Sequence, residues 1–112
     1  MTLPTRDELL RGTLDMLILQ TLARRAELHG FAIAESIERS SGEVLRVEEG
    51  SLYPALQRML IKGFIVGVWG KTTENRRARY YSLTAAGRKQ LKEELASYRR
   101  VSAAIAAVLQ PA

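Results

Sequence analysis

Apolar residues change their spacing along this chain, and the first segment has the spacing of a helix. Its apolar residues recur at steps of three and four: Leu10, Leu14, Leu17, Ile18 and Leu22. Asp7 and Glu8 precede them, which suits the positive end of a helix dipole. Met16 and Leu19 are apolar but fall off this face. We therefore expect them either to be exposed or to form a second buried face that another subunit covers.

Two further helices are predicted after a polar break at residues 24–30. The second helix ends at Gly42, and its apolar positions are Phe31, Ile33, Ala34 and Ile37. The third helix lies within residues 47–63, and its apolar stripe is formed by Leu52, Leu56, Met59 and Leu60. Pro54 has no N–H and belongs in a first turn. The third helix therefore begins either near Gly50–Ser51 or, with a distorted opening, at Glu48–Glu49.

Beyond Gly63 the pattern changes to β-branched and aromatic residues, which favour strands. Residues 64–69 predict one strand and residues 79–83 a second. Residues 70–78 between them are polar and predict a turn, with residues 71–77 at its tip. Together these segments predict a β-hairpin with a basic tip.

The last predicted helix is longer than the rest of the fold can cover. Thr84 is a good N-cap, and the helix could extend over about 25 residues, or roughly 37 Å. Its apolar positions include Leu91, Leu95, Tyr98 and Ile105. We expect this helix to pack against a second copy of the chain, together with Leu10, Met16 and Leu19 of the first helix.

The order of elements is helix, helix, helix, strand, strand, helix. It predicts a mostly α-helical fold with a two-stranded wing, the winged helix-turn-helix. We assign residues 1–83 to this domain and residues 84–112 to a C-terminal dimerisation helix. In that architecture the third helix enters the major groove of DNA and the wing contacts the flanking backbone.

Charge is distributed unevenly and supports a polyanionic partner. Residues 1–50 hold six Lys/Arg and nine Asp/Glu, whereas residues 51–112 hold eleven Lys/Arg and three Asp/Glu, within a net charge of +5. A basic half of this kind is typical of nucleic-acid binding, although a basic solvated surface would look similar.

Residues that could carry catalysis or bind metal are scarce. Cysteine is absent and His29 is the single histidine, which excludes thiolate and multi-histidine metal sites. His29 precedes the second helix, and we interpret it as a structural residue at the helix start. No nucleophile–base set or phosphate-binding glycine loop is present, so we expect neither an enzyme nor a cofactor. We also expect no membrane association and a cytoplasmic location, because no signal-peptide pattern is visible.

Two motifs resemble the PadR family of bacterial transcriptional regulators, in its short form with one C-terminal helix. The first is Gly50-Ser51-Leu52-Tyr53-Pro54-Ala55-Leu56, followed by Arg58, Leu60 and Gly63-Phe64-Ile65. The second is Arg76-Arg77-Ala78-Arg79-Tyr80-Tyr81-Ser82-Leu83-Thr84-Ala85-Ala86-Gly87. A weaker match joins residues 14–19 with His29-Gly30-Phe31-Ala32-Ile33. The resemblance covers nearly the whole chain.

This resemblance implies a homodimeric repressor that binds a pseudo-palindromic duplex DNA operator and is released by a small-molecule effector. It also places the start of the third helix at Glu48–Glu49. We expect these two carboxylates to cap that helix or to face the protein, because carboxylates near phosphates are unfavourable. The expected DNA contacts lie on the third helix and the wing: Ser51, Tyr53, Pro54, Gln57, Arg58, Lys71, Arg76, Arg77 and Arg79.

Some roles remain open from the sequence. Tyr53 either faces DNA or closes the gap between the third helix and the wing. Gln57 and Arg58 suit adenine and guanine readout but could be merely solvated. Trp69 is expected to pack the wing against the helices. The alternative function is a winged-helix module that binds protein rather than specific DNA.

Overall fold

The computed structural model describes residues 6–111, with side chains from residue 12 onward. Its elements are α1 (Arg6–Arg24), β1 (Leu28–His29), α2 (Gly30–Ser40), α3 (Glu49–Ile61), β2 (Ile65–Lys71), β3 (Arg77–Leu83) and α4 (Ala85–Leu109). The predicted winged helix-turn-helix is confirmed, with a long C-terminal helix. Within the described residues, no helix is long and apolar enough to cross a membrane.

The wing is a three-stranded antiparallel sheet in the order β1-β3-β2, not the two-stranded hairpin expected. The prediction that residues 24–30 form only a polar break is wrong in part, because Leu28 and His29 pair with Tyr81 and Tyr80. A strand of two residues is too short to show a period of two. The hairpin strands are also longer than expected, because the ladder continues to the pair Lys71 and Arg77.

The wing tip is a tight turn over residues 72–76. Thr72 N–H donates to the carbonyl of Arg76 at 2.8 Å, and Asn75 N–H donates to the carbonyl of Thr72 at 2.9 Å. Asn75 has a φ of 62°, in the left-handed region that asparagine tolerates better than most residues. The turn therefore holds the backbone of the tip in one conformation while the side chain of Arg76 stays exposed.

The core lies around α1, which packs against α2, α3, β3 and α4. The expectation that Met16 and Leu19 lie off the core is wrong, because they are only 7% and 1% exposed. The chain's own elements surround α1 on both sides, and no second subunit is needed to cover these residues. Leu91 is buried in the same cluster and Leu95 packs against it, so the first turns of α4 belong to the core.

The start of α2 is fixed by His29, as the sequence predicted. Its side-chain Nδ1 accepts a hydrogen bond from Ala32 N–H at 3.2 Å, which makes it the N-cap of the helix. Its ring also meets the ring of Tyr80 edge-on, with centroids 5.4 Å apart. His29 thus ties the helix start to β3.

The third helix begins at Glu49, so Pro54 lies inside it, as the family resemblance implied. Proline donates no hydrogen bond to the carbonyl four residues earlier, here that of Gly50, which is exposed. The expected role of the two carboxylates is not seen. Glu48 occupies the N-cap position, but its side chain makes no capping hydrogen bond, and Glu48 and Glu49 are both exposed.

The start of α4 is anchored to the corner between α3 and β2. Thr84 Oγ1 accepts from Gly87 N–H at 3.0 Å, which confirms the predicted N-cap, and donates to the carbonyl of Gly63 at 2.7 Å. A side chain at Gly87 would overlap the carbonyl oxygen of Phe64. Glycine at this position allows α4 to approach the corner closely.

Candidate nucleic-acid interface

The outer face of α3 presents four of the expected contact residues to solvent. Ser51, Tyr53, Pro54 and Gln57 are exposed, whereas Leu52, on the opposite face, is only 2% exposed. Ser51, Pro54 and Gln57 follow each other at three-residue steps and Tyr53 adjoins Pro54, so the four form one exposed, mostly polar strip on the third helix. This strip can enter a groove without disturbing the core.

Arg58 differs from its neighbours on α3 because its guanidinium is already engaged. Arg58 Nη2 donates to Asp15 Oδ1 of α1 at 2.9 Å, and both side chains are largely sheltered from solvent. In this structure Arg58 joins α3 to α1 rather than extending from α3. A role in reading guanine would require this ion pair to open.

One face of the wing carries aromatic and basic side chains toward the tip of the hairpin. We call it the inner face; it includes Trp69, Arg77, Arg79 and Tyr81. The guanidinium of Arg77 lies over the ring of Trp69, with its carbon 4.4 Å from the ring centroid. Arg79 lies beside it, 6.0 Å from the rings of both Trp69 and Tyr81. The expectation that Trp69 packs the wing against the helices is wrong, because Trp69 is 57% exposed. Its position near the tip of the hairpin, away from the helices, leaves a guanidinium as its main partner.

Gly67 provides the space for Arg79. A side chain at Gly67 would overlap Arg79 Nε, so glycine lets the arginine lie flat across β2. That Nε atom is buried and has no hydrogen-bond partner among the described residues. Burial raises the pKa of the neighbouring Tyr81 above 10.0, although the positive charge of Arg79 opposes this shift. A tyrosine is neutral near pH 7 with or without this shift, so Tyr81 does not balance the charge of Arg79.

A cleft of about 880 Å³ separates the start of α2 from the inner face of the wing. We call it the wing cleft; six residues that line it are Phe31, Tyr53, Trp69, Arg76, Arg77 and Arg79. The structure thus brings the α3 residue Tyr53 together with the wing arginines across one space. Lys71 is exposed at the end of β2, outside this lining.

The wing cations have no acidic partners in the part of the chain that is described. Salt bridges there join Arg39 to Glu35 and Arg58 to Asp15, and none involves Lys71, Arg76 or Arg77. Unpaired exposed cations keep their full attraction for a polyanion. The wing is therefore the part of this face best suited to phosphate contacts.

The expected dimer residues separate into two groups. Met16, Leu19 and Leu91 are buried inside the chain itself, and the side chain of Leu10 lies outside the described residues. Beyond Leu95 the helix α4 leaves the core, and its apolar side chains are exposed. This group, the α4 stripe, comprises Tyr98, Val101, Ile105, Val108 and Leu109.

The sequence alone does not predict the wing cleft as a unit. Phe31 was assigned to a helix face, yet it is 68% exposed at the cleft. The alternation along β3 could have indicated the rest, because Arg77, Arg79 and Tyr81 share one face of a strand. The approach of Phe31 to that face depends on how α2 packs and carries no local signal.

Three packed helices followed by a basic hairpin define a winged helix-turn-helix domain, a class built to place its third helix against DNA. Residues 18–93 match the profile of the Transcriptional regulator PadR-like family, and the chain belongs to this family. Its members are transcriptional regulators, and the resemblance inferred from the sequence is confirmed.

Individual relatives agree with this assignment. The chain is similar over its length to the structure of a transcriptional regulator from Clostridium thermocellum, with a TM-score of 0.82, 26% identity, and coverage of 91% and 98% of the two chains. A PadR-like transcriptional regulator from Bacillus cereus gives a TM-score of 0.77 at 29% identity, with 93% and 98% coverage. An uncharacterized protein X from Lysinibacillus sphaericus is 27% identical over 88 residues, which are 79% of this chain and 80% of that protein.

Proposed function

We propose that this protein is a homodimeric transcriptional repressor that binds a pseudo-palindromic DNA operator through α3 and the wing. The observation that carries the proposal is the joint exposure of the polar strip on α3 and the unpaired cations of the wing. Family membership supports DNA binding as the activity. Release by a small-molecule effector is part of the proposal on the family resemblance alone.

The two elements have separate roles in this proposal. Gln57 is exposed at the C-terminal end of the α3 strip and reads a base edge, for which adenine is the natural partner. Arg76 and Arg77 bind backbone phosphates, which carry no sequence information directly. Arg58 supports the orientation of α3 through Asp15, and its own base contact is secondary because its guanidinium is engaged.

A salt titration distinguishes these roles once an operator has been selected from a random duplex library. Arg76→Ala/Arg77→Ala should weaken binding to operator and to random duplex alike, because phosphate contacts are common to both. If each dimer loses four such contacts, the slope of log K against log salt should become shallower by up to about 3–4 units. Lys89→Ala/Arg100→Ala, which removes two exposed cations from α4, should leave the slope nearly unchanged.

Gln57→Ala should behave in the opposite way. Loss of one bidentate base contact should cost about 1–3 kcal/mol on the operator, with random duplex and the salt slope unaffected. If the wing double variant loses only operator binding, the wing reads sequence and the assigned roles are wrong. If the library yields no inverted repeat, the symmetric operator is refuted. If no variant of α3 or the wing changes DNA binding, the contact face lies elsewhere.

Dimerisation is proposed to use the α4 stripe. Ile105 is 53% exposed and makes no core contact, so Ile105→Asp should abolish a dimer without unfolding the chain. Leu95→Asp should also disrupt it, but Leu95 packs on the core and its loss could act through folding. Ala103→Asp, an exposed position on the opposite side of α4, is the matched control. Sedimentation should give twice 12.5 kDa for wild type and Ala103→Asp, and a monomer for Ile105→Asp. A monomeric wild type at micromolar concentration would refute the dimer.

A further inference from the structure

The wing cleft combines exposed aromatic rings with an open groove between α2 and the wing. Phe31, Tyr53 and Trp69 line it and remain 68%, 47% and 57% exposed. Single exposed aromatic residues are ordinary on protein surfaces, but Phe31 and Tyr53 border one space and each offers a ring on which a flat ligand can stack. The ring of Trp69 is already covered by the guanidinium of Arg77. The volume of about 880 Å³ falls within the range of small-molecule sites, roughly 300–1,000 Å³.

The same cleft carries a surplus of positive charge. Arg76, Arg77 and Arg79 line it together with Glu35 and Glu74, and Glu35 is held by Arg39 at 2.6 Å. Glu74 alone is left to balance three guanidinium groups. The buried Nε of Arg79 has no partner among the described residues, and an unpaired buried donor is costly. Because Nε packs against Gly67, an anion in the cleft would meet the terminal nitrogens of Arg79 instead.

We propose that the wing cleft binds a free nucleotide, with its phosphate on the arginines and its base on the rings of Phe31 and Tyr53. The planar guanidinium matches phosphate oxygens, and a phosphate monoester carries about −1.5 to −2 charges near neutral pH, which fits the surplus. Aromatic side chains stack on any base, because every base has a flat face.

A free nucleotide fits better than the strand of a duplex. A duplex offers phosphates, but its bases are stacked on each other, and exposing one costs unstacking energy. Phe31 and Tyr53 would then have no base to contact. A bound nucleotide would occupy Tyr53, Arg76 and Arg77, which the proposed function assigns to DNA. Competition between nucleotide and operator follows, and this consequence rests on the proposed function, whereas nucleotide binding does not.

Trp69 provides the assay, because it is the single tryptophan of the chain. Its fluorescence, excited at the red edge where nucleotides do not absorb, should be quenched saturably by adenosine 5′-monophosphate. Adenosine supplies only the base and inorganic phosphate only the anion. Each should therefore need at least about tenfold higher concentration than adenosine 5′-monophosphate to give the same quenching.

Two variants locate the site. Arg79→Gln should weaken the response to adenosine 5′-monophosphate about tenfold or more, through loss of a charged hydrogen bond. Phe31→Ala should also weaken it, and because Phe31 is largely exposed its removal leaves the core intact. Arg100→Gln, an exposed position on α4, should respond like wild type.

Several results would overturn the proposal. They are no quenching at millimolar nucleotide, an equal response to adenosine alone, and an unchanged response in both cleft variants. Quenching by duplex DNA but not by the nucleotide would assign the cleft to the DNA backbone and also refute the proposal.

Binding of a labelled duplex, measured by fluorescence polarisation, separates the nucleotide site from the proposed function. If the nucleotide quenches Trp69 but no duplex binds, the proposed function fails and the nucleotide site stands. If duplex binds but no nucleotide does, only the nucleotide site fails.

Discussion

Replacing Gly87 by alanine should destabilise the fold, although alanine is the better helix former. The added methyl group would overlap the carbonyl oxygen of Phe64 and lie 2.8 Å from Cδ1 of Leu83. The carbonyl of Phe64 cannot simply move away, because it accepts a hydrogen bond from Thr84 N–H at 3.1 Å. The clash therefore involves backbone that closes the corner between β2 and α4.

The magnitude follows from two opposing effects. Overpacking in a well-packed region costs about 1–3 kcal/mol, and a backbone clash belongs at the upper end. Alanine regains up to about 1 kcal/mol in helix propensity. The net loss should be about 2 kcal/mol, which lowers the melting temperature of a domain this size by roughly 8 °C.

Gly12→Ala is the matched control. Gly12 is also helical, in α1, but nothing lies within 4 Å of the position its side chain would take. This variant should gain up to about 1 kcal/mol, because propensity acts without a clash. Thermal and denaturant unfolding at one protein concentration measure the stability of both variants against wild type. If Gly87→Ala is as stable as wild type, or is stabilised like Gly12→Ala, the close approach at the corner does not constrain this position.

Two other predictions concern side-chain contacts. A double-mutant cycle of Asp15→Asn and Arg58→Ala should give a coupling free energy of about 0.5–1 kcal/mol in unfolding, since the ion pair is partly exposed. If the losses of the two single variants simply add up in the double variant, the ion pair contributes nothing to stability. Burial raises the pKa of Tyr81, so its contribution to stability is complete below about pH 10 and declines as the pH rises further. Unfolding midpoints should fall less steeply above about pH 10 in Tyr81→Phe than in wild type; equal slopes would contradict this.

Local chemistry in the sequence determined most of the elements and two helix starts. Hydrophobic spacing predicted the four helices, and the shift to β-branched residues after Gly63 predicted the hairpin. His29 and Thr84 were recognisable as helix-start residues, because capping depends on a side chain and the backbone two or three residues away. These features need no knowledge of what packs against them.

Other features depended on which elements meet in space. Spacing placed Met16 and Leu19 off the apolar face of α1, yet they are buried because α1 is enclosed by other elements of its own chain. The family resemblance, not the periodicity, placed the start of α3 ahead of Pro54. The two-residue strand β1 exists only because β3 pairs with it.

The residues of the candidate DNA interface show the same division between local and tertiary information. The sequence indicated which residues could touch DNA, because residue type and motif are local. Only tertiary structure decided how they are engaged: Arg58 with Asp15, Arg77 over Trp69, and Arg79 across Gly67. Each partner is distant in sequence or lies on a neighbouring strand, and no periodicity along one segment encodes such a contact. The wing cleft arises because the packing of α2 brings its start opposite the inner face of the wing.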